Sequence, residues 1–229
     1  MKTVIKPFLI TLLTLNVFIS CDSVFVVDRH SYVQAYTEYS NELEVFNVSP
    51  QQGLFDFVVA AKPAGRYANI RSRGNDKVWF DELCQRNGDV SYENTKRKVG
   101  YDWVYEYHPC CITPDLFSVE LLTERDYDTN HPAGSSVSDC MEVSFQSADY
   151  FIREGYPKEK EDAYTGLTTK LLKDVVPEDL KLLVGPEYLF KFRIVNLPQQ
   201  PQAIHTFHII CKDVYGRMIK GRIDFSLTE

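Results

Sequence analysis

Alternation of apolar and polar side chains near the C-terminus is the feature that most limits how this chain can fold. In residues 187–195 and 217–227, apolar side chains occupy one face of an extended chain and charged or polar ones occupy the other. The apolar sets are Tyr188, Phe190, Phe192 and Ile194 in the first segment and Ile219, Ile223, Phe225 and Leu227 in the second. Because successive side chains of a strand point to opposite faces, both segments predict β-strands with one buried face.

The segment between them, residues 203–217, is apolar on both faces and predicts a central strand that turns at residues 214–216. Residues 116–124 alternate as well, which predicts that Phe117 and Leu121 share a buried face. The remaining strand candidates are residues 43–48, 54–60, 101–107 and 139–147.

Only residues 167–176 predict a helix, which would end before Pro177. Residues 74–100 are rich in charged residues, Asn and Gly, and predict a long loop insertion. Many strands with one short helix predict an all-β fold, an antiparallel β-sandwich of the immunoglobulin-like type. We expect a single sandwich domain over residues 41–229, preceded by a tether and first element at residues 21–40.

The N-terminus has the features of an export signal. Lys2 and Lys6 precede a run of 13 mostly apolar residues. A membrane-spanning helix needs about 18 or more apolar residues, whereas the apolar part of a secretory signal needs roughly 7 to 15. Residues 18–21, Phe-Ile-Ser-Cys, resemble the lipobox of bacterial lipoproteins. The resemblance implies that residues 1–20 are a cleaved signal peptide and that Cys21 carries the lipid that anchors the protein to a membrane.

An ordinary signal peptide that ends beside a chance cysteine is the alternative. Loss of residues 1–20 would remove two lysines and change the formal charge from −7 to −9. An acidic chain is a poor ligand for nucleic acid, because binding to phosphates depends on Lys and Arg. We therefore expect no nucleic-acid partner.

Five cysteines follow Cys21, and an odd number leaves at least one thiol unpaired. An exported chain can form disulfides, and adjacent Cys110 and Cys111 would reach Cys84 most readily. One disulfide between Cys84 and either of them is therefore predicted, and five reduced thiols are the alternative. Cys211 lies in an apolar strand pattern that predicts a buried thiol.

Two patterns in the sequence bear on metal binding. Asp126, Asp128 and Asn130 resemble the start of a calcium loop, but the Gly and Glu that an EF-hand requires later in the loop are absent. A calcium site outside the EF-hand class and a polar turn without an ion are both open. His205 and His208 lie three apart on a predicted strand, so they would face opposite sides and could not share a metal ion.

One aromatic row points to a ligand class. Tyr101, Trp103, Tyr105 and Tyr107 would share one face of a strand, where aromatic rings can stack on the apolar faces of sugars. The alternative is that the row belongs to the hydrophobic core or to a ladder of cross-strand pairs.

Catalytic signatures are absent from the sequence: there is no G-x-S-x-G, no H-E-x-x-H and no phosphate-binding Gly loop. Acid pairs such as Glu120 with Glu124 could serve a glycosidase, although many such pairs arise by chance. We therefore expect a non-catalytic protein without a cofactor, and a carboxylate-dependent hydrolase is the alternative.

Residues 110–139, together with residues 18–21 and 203–217, resemble uncharacterised envelope lipoproteins common in gut Bacteroidota. The resemblance implies a lipid-anchored protein of the outer membrane, on either its surface or its periplasmic face, and supplies no activity. Asp22-Ser23-Val24 resembles the glycosylation site of that phylum, which implies a glycan on Ser23. These features together predict an envelope module that binds a glycan or a protein.

The lipid anchor is testable by fractionation. We expect the mature chain to begin at a lipidated Cys21, so intact-mass analysis should show the added acyl chains. Cys21→Ala should leave the membrane fraction, because the acyl chains supply the membrane affinity. An unlipidated wild-type chain, or a Cys21→Ala variant that stays with the membrane, would contradict the prediction.

Overall fold

The computed structural model describes residues 26–47, 56–99, 102–104, 109–157, 167–185, 187–201 and 203–226. Two compact units are present. Of the described residues, 26–29, 93–99 and 102–104 belong to the smaller unit, and the others belong to the larger one. Within the described residues, no helix has both the length and the apolar character needed to cross a membrane.

The described part of the chain contains twelve strands and two α-helices. The strands are β1 (Val26–His30), β2 (Ala35–Asn47), β3 (Asp56–Asn69), β4 (Tyr92–Val99), β5 (Asp102–Val104), β6 (Cys110–Ile112), β7 (Leu116–Thr123), β8 (Met141–Gln146), β9 (Leu167–Leu171), β10 (Phe190–Ile194), β11 (Ile204–Asp213) and β12 (Met218–Ser226). The helices are α1 (Gly74–Arg86) and α2 (Asp149–Arg153). Strands β1, β4 and β5 form a three-stranded sheet in the order β1-β4-β5.

The larger unit is built on a nine-stranded sheet in the order β7-β11-β12-β2-β3-β10-β8-β9, with β6 beside β2. Most neighbouring strands are antiparallel, but β2 is parallel both to β12 and to β6. The mainly β fold is thus confirmed. The predicted purely antiparallel sheet is wrong, because β6 and β12 are parallel to β2. Both reach β2 through long connections, which do not impose the antiparallel order of a hairpin. The immunoglobulin-like sandwich stays a prediction.

Strands β10 and β12 confirm the alternation predicted for them. β11 lies between β7 and β12, as expected for a central strand. Buried side chains occupy every second position of β10 and β11 and recur on one face of β12, and these are Phe190, Phe192, Ile194, Phe207, Ile209, Cys211, Ile219, Ile223 and Phe225. They form much of the main core, the larger of two hydrophobic clusters.

Strand β7 departs from its predicted alternation at one end. Leu121 is buried as expected, but Phe117 is 53% exposed and Leu116 is buried in its place. The pairing of β7 with β11 changes register there, from Lys212 opposite Ser118 to Asp213 opposite Leu116. The register skips Phe117, so this β-bulge turns the Phe117 side chain towards solvent.

The helix predicted at residues 167–176 is wrong. Residues Leu167–Leu171 form β9, and a 3₁₀ turn follows at Leu172–Asp174. Pairing with β8 explains the difference, because it supplies backbone hydrogen bonds and a contact between the Ser144 and Thr169 hydroxyls at 2.8 Å. Leu172 packs in the main core, but Leu167 at the start of the segment is 66% exposed, so the helical periodicity was wrong about the element and about part of its burial.

The loop insertion predicted at residues 74–100 is also wrong. This segment holds α1 and β4. Phe80, Leu83 and Cys84 are the buried residues of α1, and their spacing forms a narrow apolar stripe on one helix face. Charged residues surround the stripe, which is why composition alone suggested a loop.

The long strands β2 and β3 pair around two β-bulges. Tyr39 lies opposite Pro63, whereas the pairs before and after it, Thr37 with Tyr67 and Leu43 with Ala61, keep a common register. Each strand therefore carries extra residues at a different point, and the two offsets cancel. The backbone N–H of Arg66 donates to Glu38 Oε2 at 2.7 Å within this bulged region.

The β2–β3 pair contributes to both hydrophobic clusters. Phe57 and Val59 belong to the main core. Tyr36 and Ala68 lie beyond the bulges, in a second core that also contains Phe80 of α1. The bulges therefore stand between the parts of the strand pair that serve the two cores.

We expect Gly65→Ala to destabilise the protein. Gly65 has φ +91°, and a Cβ atom there would meet Glu38 Oε2 at 2.5 Å and Glu38 Cβ at 3.3 Å. Left-handed backbone strain costs about 1 to 3 kcal/mol, and the contact adds to it. Gly216→Ala is the matched control, because Gly216 has φ +82° and open space around it. Equal losses in denaturant-induced unfolding would show that the contact with Glu38 costs nothing.

We also expect an acid-dependent loss of stability at Asp56. Its carboxylate accepts a hydrogen bond from Arg193 Nε at 3.0 Å and pairs with Lys191 Nζ at 2.6 Å. Burial opposes ionisation, but the two cations outweigh it and lower the pKa of Asp56. The pair therefore stabilises the fold above the ordinary aspartate pKa of about 3.9, and this stability is lost as the pH falls through the lower folded value.

The measurement is denaturant-induced unfolding at several pH values. Asp56→Asn should be less stable than the wild type at neutral pH, and the difference should shrink in acid. Asp76→Asn removes an exposed partner of Arg66 and serves as the control. A difference between Asp56→Asn and the wild type that does not change with pH would contradict the prediction.

Candidate functional site

An open groove of about 500 Å³ lies on the larger unit, where the end of β2 meets the start of β3. We call it the β2–β3 groove. It is lined by Glu44, Phe46, Asn47, Val58, Ala60, Glu187 and Tyr188. The strand register places Phe46 opposite Val58 and Glu44 opposite Ala60.

The groove lies on the face of the β2–β3 pair that points away from the main core. Phe57 and Val59 belong to the main core, so strand alternation directs Val58 and Ala60 to the other face. Phe46 is 52% exposed, although Val58 beside it is buried. The groove thus combines an apolar floor with an accessible aromatic ring.

Tyr188 forms part of the groove lining and is 72% exposed. The alternation of residues 187–195 predicted that it would be buried, which is wrong because the strand begins only at Phe190. The next residue is fixed: Leu189 is buried, and its backbone N–H donates to the carbonyl oxygen of Val59 at 2.8 Å. Tyr188 is therefore attached to a well-anchored backbone.

The groove offers two kinds of contact. Phe46 and Tyr188 supply aromatic surface, and Glu44, Asn47 and Glu187 supply polar groups. Among the lining residues that the structure describes, there is no Lys, Arg or His. The arrangement suits a ligand that has both apolar faces and hydrogen-bond donors and carries no negative charge.

The predicted aromatic row cannot be compared with this groove. Tyr101, Tyr105 and Tyr107 lie outside the described residues. Trp103 is in β5, where it pairs with Lys98 of β4. The row as a ligand surface stays a prediction, as do lipid at Cys21 and a glycan at Ser23, which also lie outside the described residues.

A second group of polar side chains lies in the segment Asp126–Cys140, called here the 126–140 loop. The loop follows the edge of β7: the N–H of Val137 donates to Leu121 O, and the N–H of Thr123 donates to Ser135 O, both at 3.0 Å. Tyr127 is fully buried in the main core. These contacts hold the loop against the outer side of the sheet.

The calcium candidates lie in this loop, with their carboxylates already engaged. Asp126 Oδ1 accepts the N–H of Ala133 at 2.8 Å. Asp128 Oδ1 accepts the N–H groups of Asn130 and His131 at 2.7 and 2.9 Å. These bonds are those of the polar-turn alternative, and calcium binding by Asp126, Asp128 and Asn130 stays a prediction.

The side chains of Asp128, Asp139 and Cys140 lie close to the imidazole ring of His131. Its Nδ1 lies 2.8 Å from Asp128 Oδ1, and its Nε2 lies 2.9 Å from Asp139 Oδ1. Cys140 Sγ lies 4.0 Å from Nδ1. Sequence patterns do not reveal this cluster, because His131 and Cys140 are nine residues apart and match no known spacing of metal ligands.

The electrostatics of the cluster do not suit a nucleophilic cysteine. Burial and then the neighbouring carboxylates Asp139 and Asp128 raise the pKa of Cys140 to about 11. Burial opposes protonation of His131, but hydrogen bonds to Asp128 and Asp139 outweigh it and raise the pKa of the imidazole. A catalytic thiol needs a lowered pKa, whereas the pKa of Cys140 is raised.

The cysteines considered for a disulfide, Cys84, Cys110 and Cys111, carry free thiols in the structure, as do Cys140 and Cys211. A disulfide between Cys84 and Cys110 or Cys111 stays a prediction. Cys84 and Cys111 both pack in the second core. Burial raises the pKa of Cys84 to about 12, so the thiol is protonated at neutral pH.

The two histidines of β11 have separate partners. His205 is buried, and its Nε2 lies 2.9 Å from the carbonyl oxygen of Gln200. His208 Nε2 lies 3.2 Å from Glu124 Oε2. Glu124 also pairs with Arg222, at 3.5 Å, whereas Glu120 projects from β7 as an exposed side chain. The structure thus places Glu124 in an ion-pair cluster, and catalysis by Glu120 and Glu124 stays a prediction.

No protein-family model matches the chain, and no curated protein or solved structure matches it either. The resemblance to Bacteroidota envelope lipoproteins therefore stays a prediction. Function has to be inferred from the side chains of the β2–β3 groove and of the His131 cluster.

Proposed function

We propose that this chain is an exported, lipid-anchored protein of the bacterial outer membrane that binds a glycan in the β2–β3 groove without modifying it. One observation supports the proposal above all others: two exposed aromatic side chains, Phe46 and Tyr188, line one groove together with polar side chains. The export signal and the lipobox resemblance support the location.

Sugars fit the chemistry of this groove. A pyranose ring has an apolar C–H face that stacks on an aromatic ring, and hydroxyl groups around its edge. Phe46 and Tyr188 would stack on the apolar face of the sugar. Glu44, Asn47 and Glu187 would accept or donate hydrogen bonds at its hydroxyl groups. Because the backbone beside Tyr188 is already fixed, ligand binding loses less conformational entropy.

The charge of the groove indicates which glycans it can bind. Its described lining contains two glutamates and no cationic side chain, and the whole chain has a net charge of −7. A glycan rich in uronic acid, sulfate or phosphate would be repelled, and a desolvated pair of like charges is costly. A neutral or amino-sugar glycan is therefore the ligand proposed.

A carboxylate-dependent hydrolase is the second candidate. Glu44 and Glu187 line the same groove as the aromatic side chains. Two carboxylates on either side of a glycosidic bond are what most glycosidases use, one as acid and the other as base or nucleophile. The carboxylates of this groove are better candidates for that chemistry than Glu120 and Glu124, because an aromatic surface lies beside them.

We expect the chain to bind neutral oligosaccharides on a glycan array and to lose affinity on removal of the groove aromatics. Tyr188→Ala and Phe46→Ala should each weaken binding several-fold, because an aromatic contact contributes about 0.5 to 1.5 kcal/mol. Unfolding stability should change little, since both rings are exposed. Calorimetry with the best array ligand provides the measurement.

Matched controls are available for both changes. Tyr215 is 77% exposed and Phe117 is 53% exposed, and neither lines the groove. Tyr215→Ala and Phe117→Ala should bind like the wild type. An array without any bound glycan, or equal losses in groove and control variants, would contradict the glycan proposal.

The bound oligosaccharide also separates binding from hydrolysis. Prolonged incubation should return it intact, without new reducing ends. If reducing ends appear in the wild type and disappear in Glu44→Gln or Glu187→Gln, the hydrolase is correct. The two variants should otherwise alter affinity alone.

A further inference from the structure

The His131 cluster is independent of the groove and has a chemistry of its own. We propose that Asp128 Oδ1, His131 Nδ1 and Cys140 Sγ bind a divalent zinc ion. The three donor atoms lie within 4.8 Å of one another. They come from two points of the 126–140 loop, and Cys140 directly precedes β8.

The donor distances fit an ion of this size. Zinc holds oxygen, nitrogen and sulfur at about 2.0 to 2.3 Å, which places neighbouring donors roughly 3 to 4 Å apart. Here Nδ1 lies 2.8 Å from the carboxylate oxygen and 4.0 Å from the sulfur. The two distances from Nδ1 thus lie on either side of the spacing that zinc requires between neighbouring donors.

Asp139 orients the histidine for this role. Its Oδ1 lies 2.9 Å from Nε2, so the Nε2 proton is directed towards a carboxylate. Zinc at Nδ1 would displace to solvent the proton through which the imidazole bonds the Asp128 carboxylate, while the Nε2 proton stays directed towards Asp139. Metal-binding histidines commonly donate their second N–H to a carboxylate in this manner.

The donor set favours zinc over calcium. Calcium takes oxygen ligands only, usually six to eight, whereas the cluster presents one oxygen, one nitrogen and one sulfur. Asp126 is not part of the set. A mixed set with a cysteine sulfur is typical of zinc.

The three proposed ligand residues differ in their exposure to solvent. The Cys140 residue is 2% exposed, whereas the side chains of His131 and Asp128 are 13% and 27% exposed. An ion could enter from the Asp128 side, and three protein ligands leave one tetrahedral position for a water molecule. Binding converts the Cys140 thiol to a thiolate and releases its proton to solvent. The bound ion would join the 126–140 loop to the start of β8.

The test uses the full chain, stripped of metal with a chelator and kept reduced. Calorimetric titration with Zn²⁺ should show one bound ion per chain. Titration with Co²⁺ should produce the near-ultraviolet absorption of a cobalt–thiolate bond and the visible bands of a tetrahedral ion. Excess Zn²⁺ should abolish both signals.

Variants assign the ligands. Cys140→Ser should lose the thiolate band and bind Zn²⁺ at least tenfold more weakly, and His131→Gln should weaken Zn²⁺ binding similarly. Asp139→Asn should lower affinity by about 10- to 100-fold as a positioning change and keep the band. Cys110→Ser and His208→Gln are the matched controls, because Cys110 is another free thiol and His208 also pairs with a carboxylate. Both should bind like the wild type.

Several results would overturn the proposal: no zinc binding by the wild type, a thiolate band that persists in Cys140→Ser, or a site that takes Ca²⁺ in preference to Zn²⁺. If Cys140→Ser fails to fold, the wild-type cobalt spectrum and the zinc affinity of His131→Gln determine whether the proposal holds. A band lost in Cys110→Ser would place the metal elsewhere and equally reject this site.

Discussion

The pairing of β2 with β3 is the interaction on which the larger unit depends. β2 also pairs with β12 and β6, and β3 also pairs with β10, so the two strands join both halves of the sheet. One end of the pair packs in the main core and the other in the second core. Two offsetting bulges allow a single pair of strands to serve both clusters and return to a common register. The β2–β3 groove lies on the outer face of the main-core end, so its residues are positioned by the same pairing.

Local alternation predicted the strands whose two faces meet different surroundings, such as β10 and β12. It failed wherever a distant partner decided the outcome. Phe117 turns outwards because of a bulge opposite β11, and Leu167–Leu171 is extended because β8 pairs with it. Helix α1 was missed for a different reason: its buried stripe is only three residues, and charged neighbours dominated the composition.

Sequence patterns could not identify the β2–β3 groove, because folding brings together residues that are distant in the chain. Phe46 and Tyr188 become neighbours only when the segment before β10 docks on β3. The D-x-D-x-N pattern lies in the same loop as the His131 cluster, but its carboxylates accept N–H groups of the turn. The nitrogen and sulfur donors belong to His131 and Cys140, which meet because the loop folds back before β8.

The path of the 126–140 loop also bears on how the protein behaves at high concentration. β7 is an end strand of the sheet, and an open edge is a template for strands of other molecules. The bonds from Val137 to Leu121 and from Thr123 to Ser135 occupy part of that edge. A molecule whose loop detached would present those backbone groups to a second copy. The loop therefore occupies backbone groups of β7 that would otherwise be open to strand pairing, and a zinc ion at His131 and Cys140 would hold the loop in that position.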